Sequence, residues 1–168
     1  MSSTHDELVG TCNTIVHEVE AAVDGCLYRV DGEIEIIVDL DEWKQALYDK
    51  KVDAFKATYP DYDHDLYDSY DEYVEDECGT VDDIDDPDEV TLADYLADRD
   101  LGDVRFEVDS SKDLLGGKLL VAYGGPNIWI SDEGVTGYWG SETVERTFHS
   151  DARGAVFDWF ADQWSYIE

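Results

Sequence analysis

The stretch from Asp61 to Glu77 holds the side chains of this sequence that are best suited to chemistry. It carries nine carboxylates and four tyrosines, and it has no Lys or Arg. Like charges this close repel one another, so the pattern costs folding free energy unless something compensates for it. The compensation can come from a metal ion, from a cationic partner or from salt, and each of these predicts a different function.

A metal site is indicated by the spacing of an EF-hand calcium loop counted from Asp61. The ligand places would be occupied by Asp61, Asp63, Asp65, Tyr67 through its carbonyl, Ser69 and Glu72. The sixth place, which needs glycine for a sharp turn, holds Leu66, and the normally apolar eighth place holds Asp68. We therefore expect no metal ion and no other cofactor, with a calcium-binding module as an alternative.

A search of the sequence for catalytic motifs finds little. It contains no GxSxG nucleophile elbow and no HExxH zinc motif, and Lys112 stands where a phosphate-binding loop ending at Gly117-Lys118 needs glycine. General acid catalysis needs one carboxyl group that burial sets apart, and a sequence with 43 acidic residues does not single one out. We expect no enzyme activity and no catalytic residue.

The N-terminal part predicts a helix, a hairpin and a second helix. Apolar residues recur at helical spacing over about residues 4–23. The next strands turn at Asp31-Gly32, a dipeptide that tolerates the positive φ of a tight hairpin. The second helix is capped near Asp39 or Asp41 and ends at the proline that follows ATY.

The middle of the chain predicts an acidic helix. A helix from about Asp63 to Asp76 would place on one face Leu66, Tyr70, Tyr73 and Val74. The segment GTVDDIDDPDE is expected to be a loop, and VTLADYLAD a short helix.

The C-terminal part is rich in short β runs. VRFEV, KLLVA, NIWIS, VTGYW and TVERTF are punctuated by glycine-containing turns, which predicts an antiparallel meander with Trp129 and Trp139 in its core. Ser150 is expected to cap a closing helix, whose apolar face is formed by Val156, Phe157, Phe160 and Trp164.

These elements predict an α+β fold in one or two compact domains. Its parts are an N-terminal helix–hairpin–helix over residues 1–60, an acidic helical segment over residues 61–102, and an antiparallel meander with a C-terminal helix over residues 103–168. The three cysteines are widely spaced, which indicates reduced thiols, and no signal peptide or long apolar span is evident. We expect a cytoplasmic protein.

The charge is concentrated in the middle of the chain. The net charge is −8 over residues 1–60, −19 over residues 61–109 and −5 over residues 110–168, or −32 in all. Such a protein should not bind nucleic acid or an anionic membrane surface directly. Its expected partner is a positively charged protein, and cationic grooves in cells are mostly built for DNA or RNA.

Carboxylates on an ordered helix can match the charge density of DNA. Acidic groups at every second or third position advance roughly 3–4.5 Å along a helix axis, and one DNA strand shows a charge about every 3.4 Å. The candidate phosphate mimics are Asp61, Asp63, Asp65, Asp68, Asp71, Glu72, Glu75, Asp76, Glu77, Asp82, Asp83, Asp85, Asp86 and Asp88. Tyr62 and Tyr67 are candidate aromatic contacts, whereas Tyr70 and Tyr73 are expected to pack on the protein's own core.

The stretches DYDHDLYDSYDEYVEDE and VDDIDDPDEVTLADYLADRD resemble the acidic DNA-mimic inhibitors of phages and mobile elements, namely antirestriction and anti-CRISPR proteins. The resemblance lies in composition and charge layout over residues 39–109, and it covers no shared motif or fold. It implies a non-enzymatic inhibitor that fills the DNA-binding channel of a CRISPR effector or a restriction enzyme in the host cytoplasm.

Two other functions remain open at this point. A haloadapted protein carries acidic residues to stay hydrated in concentrated salt, although its charge is usually spread evenly over the surface. An acidic chaperone would bind basic proteins broadly, although its charge usually lies in disordered tracts. The oligomeric state is expected to be a monomer or a dimer formed through the C-terminal part, because the acidic face repels itself.

Overall fold

A computed structural model describes residues 3–167. The helices are α1 (Thr4–Val23), α2 (Leu40–Thr58), α3 (Tyr70–Cys78), α4 (Leu92–Arg99) and α5 (Ser150–Ser165). The strands are β1 (Leu27–Val30), β2 (Glu33–Ile36), β3 (Asp88–Glu89), β4 (Val104–Val108), β5 (Leu114–Ala122), β6 (Asn127–Ser131), β7 (Gly134–Trp139) and β8 (Glu142–Thr147). The α+β prediction is confirmed. Over residues 3–167, no helix has the length and apolar character needed to cross a membrane.

The chain divides into two compact units. The acidic unit is Ile37–Asp88, and the larger unit is formed by Met1–Ile36 together with Glu89–Glu168. This division differs from the three consecutive parts expected from the sequence, because the N-terminal helix and hairpin fold with the distant C-terminal meander. Local sequence patterns do not show which distant segments of the chain pack together.

The larger unit is built on an antiparallel sheet of order β4-β5-β6-β7-β8, as the meander prediction required. Helix α1 packs on β7 and β8, and α5 packs on β5. The core between these helices and the sheet is formed by fully buried residues such as Leu8, Ile130 and Phe160. A smaller sheet of order β2-β1-β3 continues into Val90, whose N–H donates to the carbonyl of Leu27 at 2.8 Å.

Two predictions for the N-terminal part are confirmed residue by residue. Helix α1 covers residues 4–23, and the side chain of Ser3 accepts a hydrogen bond from the Asp6 N–H at its start. Strands β1 and β2 are joined by Asp31 (φ 49°) and Gly32 (φ 85°), the left-handed pair of a two-residue hairpin.

Close helix-to-sheet approach is possible because two strand residues are glycines. A Cβ on Gly137 would lie 2.7 Å from Leu8 Cδ1 and 2.8 Å from Cys12 Sγ, and a Cβ on Gly117 would lie 2.5 Å from the ring of Phe160. Any larger side chain at these positions would push α1 or α5 away from the sheet.

The acidic unit consists of α2, α3 and a 3-10 turn at Val81–Asp83. Helix α2 packs on both α3 and this turn. Asp39 caps α2 by accepting a hydrogen bond from the Glu42 N–H, which settles the choice left open between Asp39 and Asp41. The helix ends at Thr58, before Pro60, as expected.

The predicted start of the acidic helix is wrong. Helix α3 begins at Tyr70, and the chain before it forms turns, so Leu66 lies outside the helix and is 74% exposed. The reason is local hydrogen bonding. Asp63 Oδ1 accepts from the Asp65 N–H, and Ser69 Oγ accepts from the Glu72 N–H, so short polar side chains satisfy the backbone before a helix can form.

Two predictions for the C-terminal part are also wrong. Trp129 lies on the sheet face opposite to buried Ile128 and Ile130, with Arg105 and Lys118 over its ring, and Trp139 is 36% exposed. The alternation along a strand shows which residues share a face of the sheet, but it does not show which of the two faces the helices cover. The cap of α5 is His149, whose Nδ1 accepts from the Ala152 N–H, and the neighbouring serine becomes the first helical residue.

Candidate functional site

All fourteen candidate phosphate mimics have exposed side chains on the acidic unit. Nine lie in the turns before α3 or in α3 itself, and five lie in the 3-10 turn or in the residues that follow it. The acidic unit contains 19 acidic and 4 basic residues among its 52, which gives a net charge of −15. Nearly half of the protein's net charge therefore lies on less than a third of its residues.

Helix α3 places four of its five carboxylates on one side, and the fifth, Glu77, on the side of its apolar residues. At about 100° per residue, one side of the helix carries Asp71, Glu72, Glu75 and Asp76. The other side carries buried Val74 and Cys78 together with half-buried Tyr70 and Tyr73. The four carboxylates fall within about 7.5 Å of helix axis, or one charge per about 2.5 Å, whereas DNA shows one per about 1.7 Å for the duplex and one per about 3.4 Å for each strand.

Several carboxylates hold the backbone of the acidic unit in place. Glu72 Oε2 accepts a hydrogen bond from the Asp68 N–H at 2.9 Å, and Asp76 Oδ2 accepts one from the Tyr67 hydroxyl at 2.7 Å. Asp83 caps the 3-10 turn by accepting from the Thr80 N–H at 2.7 Å, and this bond lowers the pKa of Asp83. The acidic surface is therefore an ordered one.

The lysines of α2 compensate part of this charge from inside the unit. Lys51 Nζ donates to the carbonyl of Cys78 at 2.7 Å, where the C-terminal end of the α3 dipole is negative. Lys44 forms an ion pair with Asp86, and the hydrogen bond in that pair is the main reason that the pKa of Lys44 is raised. Lys56 Nζ lies 6.0 Å from the centre of the Tyr70 ring.

The sequence-based reasoning missed these lysines, although a signal for them existed. Lys44, Tyr48, Lys51 and Phe55 recur at spacings of four, three and four residues, which places them on one side of α2. Tyr48 donates its hydroxyl proton to the carbonyl of Gly79 at 3.0 Å. The side of α2 that faces the acidic segment therefore combines cations with aromatic rings.

The tyrosines form an aromatic cluster that serves as the interior of the acidic unit. Tyr73 lies at its centre, with ring centroids 5.0 Å from Tyr67, 5.3 Å from Phe55, 6.2 Å from Tyr70 and 6.4 Å from Tyr62. The Tyr70 hydroxyl donates to the carbonyl of Tyr59. Tyr62 and Tyr67, the two candidate contact residues, are half-buried members of the same cluster, with one side open to a cavity.

The six residues of the calcium hypothesis do not converge on one point. Three of them, Asp63, Ser69 and Glu72, instead accept hydrogen bonds from nearby backbone N–H groups. Within residues 3–167, no group of three or more His, Cys, Asp or Glu side chains is arranged to hold a metal ion.

Comparison of the chain with protein-family models, with curated proteins and with solved structures gave no match in any of the three cases. The function of the acidic surface is therefore inferred from its geometry and charge.

Proposed function

We propose that the protein is a DNA mimic that inhibits a host nucleic-acid-binding defence protein, either a CRISPR effector or a restriction enzyme, by placing its acidic unit in the partner's DNA-binding channel. The observation that carries this proposal is the row of carboxylates on α3, which is held by caps and lysines at a charge spacing between that of duplex DNA and that of one DNA strand. No chemical step is needed, because occupancy of the channel alone excludes DNA.

Attraction by such a surface acts at long range and depends on salt. A net charge of −15 on 52 residues steers a cationic channel toward the acidic unit, over a distance of about 10 Å at 0.1 M salt. Inhibition should therefore weaken as salt rises, as DNA binding itself does.

The direct test uses a variant with four carboxylates neutralised. Asp68→Asn, Asp71→Asn, Glu75→Gln and Asp85→Asn change exposed side chains that form no hydrogen bond or ion pair with other described residues. We expect the combined variant to lose inhibition of DNA cleavage when wild type and variant are titrated into purified CRISPR effectors and restriction enzymes. Each single change should have a small effect, because the charges act together.

A matched control keeps the total charge equal. Glu33→Gln, Glu35→Gln, Glu107→Gln and Asp158→Asn neutralise four exposed carboxylates of the larger unit, so both variants have a formal net charge of −28. The control should inhibit as well as wild type. Equal inhibition by both variants, or no inhibition of either enzyme class by wild type, would reject the proposal.

Haloadaptation is the second candidate, because the larger unit is also acidic. It carries 24 acidic and 7 basic residues, a net charge of −17. A haloadapted chain should lose its fold in dilute buffer and regain it in molar KCl, and its two charge-matched variants should gain stability equally. Circular dichroism across a KCl series measures both effects.

A further inference from the structure

The aromatic cluster opens on one side into a cavity of about 410 Å³. Its lining residues are Asp61, Tyr62, Asp63, Leu66, Tyr67, Tyr73 and Glu77. Three tyrosines and three carboxylates thus line one shallow space that is open to solvent, and among the described residues no Lys or Arg side chain lines it. The lysines of α2 that compensate charge elsewhere in the acidic unit do not enter this cavity.

The aromatic walls of the cavity are fixed by packing. Tyr67 and Tyr62 both contact the central Tyr73, with centroid distances of 5.0 and 6.4 Å, and the Tyr67 hydroxyl is held by Asp76 outside the cavity. The Tyr67 hydroxyl is therefore engaged with a residue that does not line the cavity. Faces of tyrosine rings attract cations through their quadrupole, and aromatic cages are the common protein solution for binding a cationic group.

Glu77 differs from the two other carboxylates that line the cavity. Among the described residues it forms no hydrogen bond and no ion pair, whereas Asp61 Oδ1 accepts from the Tyr62 N–H and Asp63 Oδ1 from the Asp65 N–H. The proximity of Glu77 is one of the causes, after burial, that raise the pKa of Tyr73. The uncompensated carboxylate therefore lies close to the rings.

We propose that this cavity binds the guanidinium group of one arginine side chain from the partner protein. A guanidinium is planar, so it stacks on tyrosine rings, and its N–H groups can donate in pairs to a carboxylate such as Glu77. A lysine ammonium would be attracted by the carboxylates but, not being planar, would not stack on the tyrosine rings. That the arginine comes from a nucleic-acid-binding partner rests on the proposed function. The bound arginine would give the acidic surface one specific contact in addition to its general electrostatic attraction.

The cavity can be tested on the isolated protein, so the result is independent of any inhibited enzyme. The probe is N-acetyl-arginine N-methylamide in dilute buffer, and the readout is the NMR shift of the tyrosine ring resonances. Saturable shifts at Tyr62, Tyr67 and Tyr73 in the millimolar range are expected. The corresponding citrulline amide, which has the same shape and no charge, should produce no saturable shift, and the lysine amide should bind more weakly.

Two pairs of variants locate the site. Glu77→Gln should weaken arginine-amide binding about fivefold, whereas Glu42→Gln, which removes an equal charge from α2 of the same unit, should leave it unchanged. Tyr62→Phe should bind like wild type and Tyr62→Leu more weakly. If Tyr62→Leu does not fold, the comparison of Glu77→Gln with Glu42→Gln still tests whether the cavity binds arginine.

The proposal is overturned if citrulline amide binds like arginine amide, if the tyrosine resonances do not respond, or if Glu77→Gln and Glu42→Gln bind alike. Loss of arginine binding with intact inhibition would reject the cavity and leave the DNA-mimic function standing. Arginine binding by a protein that inhibits no nuclease would reject that function and leave the cavity standing.

Discussion

Truncation of Tyr73 tests whether the tyrosines are the interior of the acidic unit. Tyr73→Ala removes a half-buried ring that contacts four other aromatic rings. Truncating a fully buried aromatic residue costs about 3–5 kcal/mol, so a half-buried one should cost about 2–3 kcal/mol. At about 0.05–0.15 kcal/mol per residue, a unit of 52 residues has about 3–8 kcal/mol to lose. The variant should leave the acidic unit marginally stable.

Hydrogen exchange measures this effect locally. The amides of α3 should exchange about 30- to 150-fold faster in Tyr73→Ala, whereas those of β6 should keep their protection because the core of the larger unit contains no residue of the acidic unit. Tyr73→Phe keeps the ring and should behave like wild type. Unchanged α3 protection in Tyr73→Ala would show that the tyrosines are surface groups and would refute the reasoning.

Two further predictions concern alkaline pH and helix packing. The hydrogen bond to Asp76 is the main cause that raises the pKa of Tyr67 from about 10 to about 12. The stability that this bond contributes is therefore present below pH 10 and is lost as pH rises from 10 to 12. In urea unfolding over this pH window, Tyr67→Phe should lose less of its free energy of unfolding than wild type. Gly137→Ala should destabilise the protein by about 1–3 kcal/mol in thermal unfolding, because its Cβ meets Leu8 and Cys12. Gly10→Ala, where α1 leaves open space, should instead stabilise it by about 0.5–1 kcal/mol. Equal Tm shifts would contradict the packing argument.

Helical periodicity and turn chemistry were enough to predict the N-terminal elements. In α1 the apolar spacing persists over 20 residues, and Asp31-Gly32 supplies the two left-handed residues that a hairpin needs. The same periodicity failed from Asp63 to Ser69, where Leu66 fits a helical face but Asp and Ser side chains bond the backbone first. A pattern of four residues is weak evidence when competing caps lie between them.

The candidate site was predictable in its charges but not in its interior. The acidic residues could be named from the sequence because charged side chains are almost always exposed. Tyr62 and Tyr67 pack on Tyr73, which itself packs on Phe55 of α2, and the helical pattern of the acidic segment alone does not contain that contact. Similarly, the orientation of Trp129 depends on which sheet face α1 and α5 cover, a long-range fact that the strand pattern leaves open.

The acidic residues of the small unit divide into those that support the fold and those that do not. Of its 19 carboxylates, eight accept a hydrogen bond or form an ion pair among the described residues, namely Asp39, Asp49, Asp61, Asp63, Glu72, Asp76, Asp83 and Asp86. The other eleven add self-repulsion without such a contact. The four lysines of the unit offset only part of this charge, so the rest must be compensated from outside the chain, by a cationic partner or by salt. Binding to a partner depends on the positions of the carboxylates, whereas stabilisation by salt depends chiefly on their number. Two variants of equal net charge therefore distinguish a DNA mimic from a haloadapted protein.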